Sequence, residues 1–510
     1  MSKAVQTRYG VVQGREDEGC YAFLGVPYAA APFGERFLRP PEAPEPWDGP
    51  RSATAYGDVV PQLPMMGYFG DVCGPKYPAG PDCLNLNIWT PDPDAEGVPV
   101  YVWFHGGGYF ACSNTDDVYN GSSFARNGIV VVTVNYRLGP LGYLHLSDLF
   151  PDLPDTDNLG LRDQIASLEW VRDSIAAFGG DPNQVTIGGE SAGGMSCQML
   201  ISSPLAKGLF NRATILSPGV PNGFSKAEAN QITAELIARL GIAPGDRKAL
   251  LAVETTALLE ATGALFIDAI ESGDTDKYPA KLVGGKMPFQ PVFDTPSLPL
   301  PPQTALAQGA ASDLEILMGV THHEFSVVMA ADGGVFTPDV AKDMDVVFNG
   351  DGQSIITAYR DAFPGISDYD LAVRLESDKT FTAISFDCAD RLADTKTPIW
   401  FYRFDWETPQ LDGALGAHHF LELPFVFNQM DTPQAATLVG DERPYDLART
   451  IHAAWIAFIK TGDPNHDGLP AWPNYTAKNR ETLLLKDEST LVSHPFDPDL
   501  LARWRASTLL

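Results

Sequence analysis

The chain predicts an α/β fold built on a central, mostly parallel sheet flanked by helices. Three observations carry this: short apolar runs rich in Val and Tyr that close on glycine, amphipathic stretches between them, and small-residue turns where strand passes into helix. "VPVYVWFHGGG" (98–108) and "GIVVVTVNYRLG" (128–139) read as buried strands of a parallel sheet, since their apolar residues run on instead of alternating. "LGLRDQIASLEWVRDSIAAFGG" (159–180) sets Leu161, Ile165, Leu168, Val171 and Ile175 at three- and four-residue steps and stops at Gly179 and Gly180, which predicts an amphipathic helix with a glycine end. "QVTIGG" then gives a strand and "SAGGMSCQMLI" a helix. The alternation recurs in "RATILS" (212–217), the helical "AEANQITAELIARLG" (227–241), "LEILMGV" (314–320) and "PIWFYRF" (398–404). Proline-rich stretches at 288–302 and near 38–50 read as surface loops, because periodic segments resume on both sides.

Composition narrows the function classes. The 47 Gly and 42 Pro are spread along the 510 residues, so residues 1–510 are expected to form one α/β domain with large loop and helical insertions. Thirty-five Lys and Arg against 65 Asp and Glu give a net charge of −30, a field that repels nucleic acid and anionic headgroups. "MSKAVQTRYGVVQG" lacks the apolar core of a signal peptide and no window approaches 18 consecutive apolar residues, so a cytoplasmic protein with no membrane contact is expected. The six cysteines show no C-x-x-C and read as buried thiols; Cys73 and Cys83 are the one pair close in sequence, and a bond between them stays open.

Chemistry enters at "TIGGESAGG" (186–194). A serine hydroxyl needs a base to become a nucleophile and exposure to reach a carbonyl; a sharp strand-to-helix turn supplies the exposure but admits only small neighbours. Gly189-Glu190-Ser191-Ala192-Gly193 has the form of such a nucleophile elbow, as found in α/β-hydrolases. Upstream, "HGGGYF" (105–110) offers glycine backbone for an oxyanion hole, assigned to the N–H groups of Gly107, Gly108 and Ala192. His105 is expected to hold that loop. The base candidates are the histidines of "GAHHFLELPFVF" (416–427) and "GVTHHEFSVV" (319–328), and the acid candidate is Glu324. A metal site on either histidine pair fits poorly, as neither is H-E-x-x-H and adjacent histidines seldom point to one centre.

These segments, with "FLGVPYAAAPFGERFLRPP" (23–41), "DCLNLNIWTP" (82–91), "NYRLGPLGYL" (135–144), "FGGDPNQVTIGGESAGG" (178–194) and "KTGDPN" (460–465), make the chain resemble the type B carboxylesterases, a family that takes in bacterial p-nitrobenzyl-type esterases and the cholinesterases. The resemblance runs nearly end to end. It implies an α/β-hydrolase fold, a nucleophile at Ser191, an acid at Glu324 five residues after Gly319, and a base at His419, three residues before the Glu of H-x-x-E-L-x-F-V-F. It also places Ser217 of "TILSPG" near the triad, with simple loop packing as the alternative, and it implies no metal or cofactor. The chain departs from the family at Pro81, where an acidic residue is usual, which is expected to remove a partner of Arg36, and at Phe325, expected to narrow the pocket. Arg137 and Asp163 remain as a structural ion pair. The loop before D-C-L, "PMMGYFGDVCGPKYPAGPD", has no tryptophan to hold a quaternary ammonium, so choline esters are not expected substrates.

The expected reaction is hydrolysis of small to medium neutral esters through an acyl-enzyme, with water and ester as the only partners and a monomer or homodimer as the assembly. Glu190 is expected either to bias the histidine or the substrate or to be a solvated or hydrogen-bonded elbow residue, and Tyr109, Phe110, Phe289, Phe325 and Phe420 are expected to shape the pocket. Carbamate, amide or lipase-like hydrolysis on the same triad is the alternative, and a non-catalytic binding module the remote one.

Overall fold

The valines and aromatics of the central runs fold as strands because both faces of the sheet they form are covered. In the computed structural model, which describes residues 2–65, 67–219, 223–330 and 339–508, Val100, Val102 and Phe104 face one apolar cluster while Tyr101 and Trp103 face another. That split is the two-residue alternation of a strand. The helices Leu159–Ser174, Ala192–Ser202 and Ala383–Asp394 supply Leu168, Met199 and Phe386 to the first cluster. Helix Tyr445–Thr461 lays Ile451, Trp455 and Phe458 on the other.

The strands are β1 (Ser2–Gln6), β2 (Val11–Asp17), β3 (Cys20–Pro27), β4 (Pro50–Ser52), β5 (Asn85–Thr90), β6 (Val98–Phe104), β7 (Val130–Val134), β8 (Gly180–Glu190), β9 (Arg212–Leu216), β10 (Glu315–Thr321), β11 (Ile399–Phe404), β12 (Thr482–Leu485) and β13 (Thr490–Val492). They form one sheet in the order β1-β2-β3-β5-β7-β6-β8-β9-β10-β11-β12-β13, with β4 beside β2. From β7 to β12 every pairing is parallel; the edges are antiparallel except for β4, which pairs parallel with β2. The C-terminal ends of β6, β8, β10 and the segment after β11 therefore open on one side of the sheet, where ligands gather in open α/β sheets.

Helix Leu159–Ser174 closes through a 3₁₀ turn at Ile175–Phe178 onto Gly179, whose φ of +85° and 2.7 Å clearance from Asp92 O to a would-be Cβ explain the glycine. Helix Lys226–Arg239 starts at the Ser225–Glu228 capping box. No helix among the described residues is long and apolar enough to cross a membrane.

Three sequence expectations resolve here. Arg137 and Asp163 meet as a buried two-pronged pair, Nε to Oδ2 and Nη2 to Oδ1 both at 2.7 Å, and Arg137 Nη1 also donates to Arg39 O. Arg36, expected to lose a partner at position 81, reaches Glu42 and Glu45 at 2.7 and 3.3 Å. All six cysteines are free, and Cys73 and Cys83 cannot join because Cys83 belongs to the core cluster on one face of the sheet and Cys73 packs against the cluster on the other.

Removing one partner of a buried pair strands the other charge, so Asp163→Asn is expected to cost about 3–5 kcal/mol of stability. Urea unfolding monitored by fluorescence reads this directly; a loss below about 1 kcal/mol would show that Arg39 O alone satisfies the guanidinium.

Candidate active site

Strand β8 delivers the serine. It ends at Glu190, the helix Ala192–Ser202 begins at once, and Ser191 between them is held at φ +57°, ψ −123°, with its N–H donated to Leu216 O at 3.0 Å. Such a backbone is strained for a residue with a side chain and persists only where its surroundings impose it. Here the glycines do so. A Cβ on Gly189 would lie 2.3 Å from the Gly193 carbonyl carbon, and one on Gly193 would lie 2.0 Å from Phe104 O. Only two glycines let β8, its helix and the end of β6 approach this closely, and the approach turns Ser191 into the cavity above the sheet.

The loop after β6 supplies donors. Gly107 and Gly108 take positive φ of +94° and +60°, and among the described residues the N–H groups of Gly107, Gly108 and Ala192 donate to no protein acceptor. His105 anchors the loop: buried, it stacks on Tyr136 at 4.5 Å, pairs its Nδ1 with Gly106 O at 2.9 Å, and is pushed down to about 4 by burial.

His419 and Glu324 come from the segments after β11 and β10. His419 Nδ1 lies 2.6 Å from Glu324 Oε2, while Glu324 Oε1 accepts from Ser217 Oγ and Thr321 N, both at 2.7 Å. Three hydrogen bonds thus fix a fully buried carboxylate against one imidazole nitrogen. His418 turns away: buried, it pairs Nδ1 with His419 O at 2.6 Å and faces Tyr68 and Phe420 edge-on. The other nitrogen of His419, Nε2, stands 3.0 Å from Glu190 Oε1, and no hydrogen bond joins it to Ser191 Oγ. Without substrate such contacts are often long or misaligned and tighten only on binding.

Ser191, His419 and the glycines line one cavity of about 190 Å³. The family described as "Carboxylesterase family" matches residues 1–501. The chain is 37% identical to the para-nitrobenzyl esterase of Bacillus subtilis (strain 168) over 503 residues, covering 96% of both, and 35% identical to the phenmedipham hydrolase of Pseudarthrobacter oxydans, again over 96% of both. Among solved structures it matches a thermophilic PNB esterase with a TM-score of 0.85 at 33% identity (98% of this chain, 99% of that one) and a Geobacillus stearothermophilus carboxylesterase with 0.83 at 37% (99% of both). The chain belongs to the carboxylesterase family. It is an α/β-hydrolase-fold enzyme that hydrolyses carboxylic esters.

The carboxylesterase cavity differs from the pocket read off the sequence. Phe110 and Phe420 line it, but Tyr109 packs edge-on against Tyr143 in the core, Phe289 is buried in the same cluster, and Phe325, outside the lining, opens the short helix Ser326–Ala330 and donates its N–H to Ser377 Oγ. The apolar wall instead comes from Met65, Phe69, Phe381, Leu423 and Leu438, brought together by insertions distant in sequence.

Two further acids, with no role legible in the sequence, stand at the site. Asp116 lines the cavity with Oδ1 unpartnered among the described residues, and burial raises its carboxyl well above the usual range. Glu422, three residues past His419, is buried with neither oxygen hydrogen-bonded among the described residues; burial, then the charge of Glu324, push it up to about 8. Burial, then Glu422 and Glu324, likewise hold Glu190 well above the carboxylate range. A carboxyl that binds its proton more tightly folded than unfolded gives stability that is full below the unfolded value near 4.5 and is lost as pH rises toward 8. The Tm of wild type is therefore expected to fall more between pH 5 and 8 than that of Glu422→Gln; equal falls would place the proton elsewhere.

The structure does bring His322 and His323 together, contrary to the expectation that neighbours diverge: their rings lie 4.3 Å apart, with Glu407 close enough to complete a three-donor group. The donor chemistry still fits a metal poorly. His323 Nδ1 accepts the Ala417 N–H at 3.1 Å, so the proton of the neutral ring sits on Nε2 and no lone pair remains to ligate.

Proposed function

We propose that this carboxylesterase acts through a Ser191 acyl-enzyme on small to medium neutral esters. The observation that carries the reading is the 2.6 Å pairing of His419 Nδ1 with a fully hydrogen-bonded Glu324 at the cavity that Ser191 lines. Glu324 accepts from Nδ1–H and so keeps the lone pair of His419 on Nε2. That nitrogen takes the Ser191 proton as Oγ attacks the ester carbonyl, and the resulting oxyanion accepts from the N–H groups of Gly107, Gly108 and Ala192. The helix starting at Ala192 adds its positive end. His419 then gives its proton to the leaving alcohol, and water repeats the sequence on the acyl group. Glu190, whose carboxyl is held well above the usual range by burial and then by Glu422 and Glu324, stands 3.0 Å from Nε2 in the resting site and gives way when substrate draws Ser191 into line.

The apolar wall supports neutral substrates, and its modest volume supports short acyl or aryl groups. Water is the second substrate and no cofactor is called for. Six free thiols support a reducing, cytoplasmic setting.

Rates over acetate, butyrate and octanoate esters, and over a matched carbamate and amide, all with one leaving group, test the substrate class. Phenmedipham belongs in the series because a relative is named for acting on it. The reading expects the short esters to be fastest; a carbamate outpacing every ester, or activity appearing only above the micellar limit, would replace it with the corresponding alternative.

A further inference from the structure

Two cysteines stand in the wall of the cavity that the esterase mechanism does not use. Cys73 ends the helix Gly67–Cys73 and is half-buried; Cys112 is buried on the loop that follows the oxyanion glycines, in a left-handed conformation with φ +71°. Both line the cavity beside Gly107 and Ser191, and none of the other four cysteines does. Cys112 Sγ also backs the oxyanion loop, lying 2.8 Å from where a Cβ on Gly107 would stand.

We propose that Cys73 and Cys112 are a redox-reactive pair that a peroxide converts to a disulfide across the cavity wall and a dithiol reopens, so that turnover depends on the state of these two sulfurs. The two thiols share one stretch of cavity wall, and the nearness of Cys73, then burial, holds Cys112 well above the usual thiol range. Cys73, the more exposed, is thus the sulfur that meets the oxidant. Its thiolate attacks one peroxide oxygen; the O–O bond breaks, the departing hydroxide takes a proton to become water, and Cys73 is left as sulfenic acid. The Cys112 sulfur attacks that of Cys73, the S–O bond breaks, and the oxygen leaves as a second water carrying the Cys112 proton. Two thiols and one peroxide give one disulfide and two waters.

A disulfide needs its sulfurs about 2.05 Å apart, closer than two thiols in contact, so closure must draw the helix and the Cys112 loop together. The helix is tethered where Gln434 Nε2 donates to Val72 O at 2.6 Å, so part of the movement falls on the loop that carries Gly107 and Gly108. Misplacing catalytic groups by an ångström costs on the order of 10²-fold, and even part of that shift gives about a tenfold loss of rate.

The test treats the full-length enzyme with hydrogen peroxide. Expected are an intact mass lower by two hydrogens, a non-reducing digest that links the Cys73 and Cys112 peptides, and p-nitrophenyl butyrate turnover about tenfold below the reduced sample, restored by dithiothreitol. In Cys73→Ser, each rate normalised to that variant's own reduced rate, peroxide is expected to leave no dithiol-reversible loss. A digest without the Cys73–Cys112 link, a link with no change in rate, or a reversible loss that persists in Cys73→Ser would overturn the proposal. The effect on turnover rests on the Ser191 reading, whereas the mass shift does not. A cross-linked protein whose reduced form lacks serine esterase activity would therefore fail that reading alone.

Discussion

Ser191→Ala is expected to lower kcat/KM for p-nitrophenyl butyrate by a factor on the order of 10⁴ to 10⁶ while the protein stays folded. The substitution deletes one oxygen and keeps the Cβ around which the turn at φ +57° is built, and the supports of that turn, Gly189, Gly193 and the Ser191 N–H to Leu216 O, are untouched. What remains is the binding cavity and its N–H donors, which can polarise a carbonyl for attack by water but form no covalent intermediate. Burst kinetics in wild type and their absence in the variant read this directly; a fall of less than about tenfold would mean that another group is acylated.

Glu324→Gln is expected to cost on the order of 10⁴-fold in kcat, with KM little changed. The reason lies in the partners of the carboxylate. Oε1 accepts from both Ser217 Oγ and Thr321 N, so an amide must place its carbonyl oxygen there and turn its NH₂ toward His419 Nδ1. The imidazole then accepts at Nδ1 and carries its proton on Nε2, where it cannot take one from Ser191. Ser217→Ala frees that choice in part and is expected to recover some of the lost activity in the double variant. If Glu324→Gln alone kept most of its kcat, orientation of the ring would have to come from elsewhere, Glu190 being the other acid in reach.

The contrast between what the letters gave away and what they hid follows from range. Gly189 and Gly193 were legible because a turn this tight excludes every other residue, and the central strands because burial on both faces leaves continuous apolar runs. The antiparallel strands β1–β3 and β5 carry a weaker signal. In β1 and β2 burial is partial and exposed polar residues interrupt the pattern. The pocket was the least legible part. Tyr109 and Phe110 are neighbours in sequence, yet one turns into the core and the other into the cavity, a choice made by the positive φ at Gly107, Gly108 and Tyr109 and by packing against Tyr143. Phe381 and Leu438 reach the cavity from insertions whose placement depends on the whole fold. Glu422 had a local signal, an acid three residues past His419 in a run otherwise apolar.

The central claim is that ester hydrolysis passes through a covalent bond to Ser191. Stoichiometric reaction with a p-nitrophenyl alkylphosphonate, followed by peptide mass mapping, tests it most directly. One phosphonyl group per chain is expected, carried on the peptide containing Ser191, with activity lost in proportion to labelling and no labelling of Ser191→Ala. Full labelling of Ser191 with esterase activity retained, or inactivation with the label elsewhere, would contradict it.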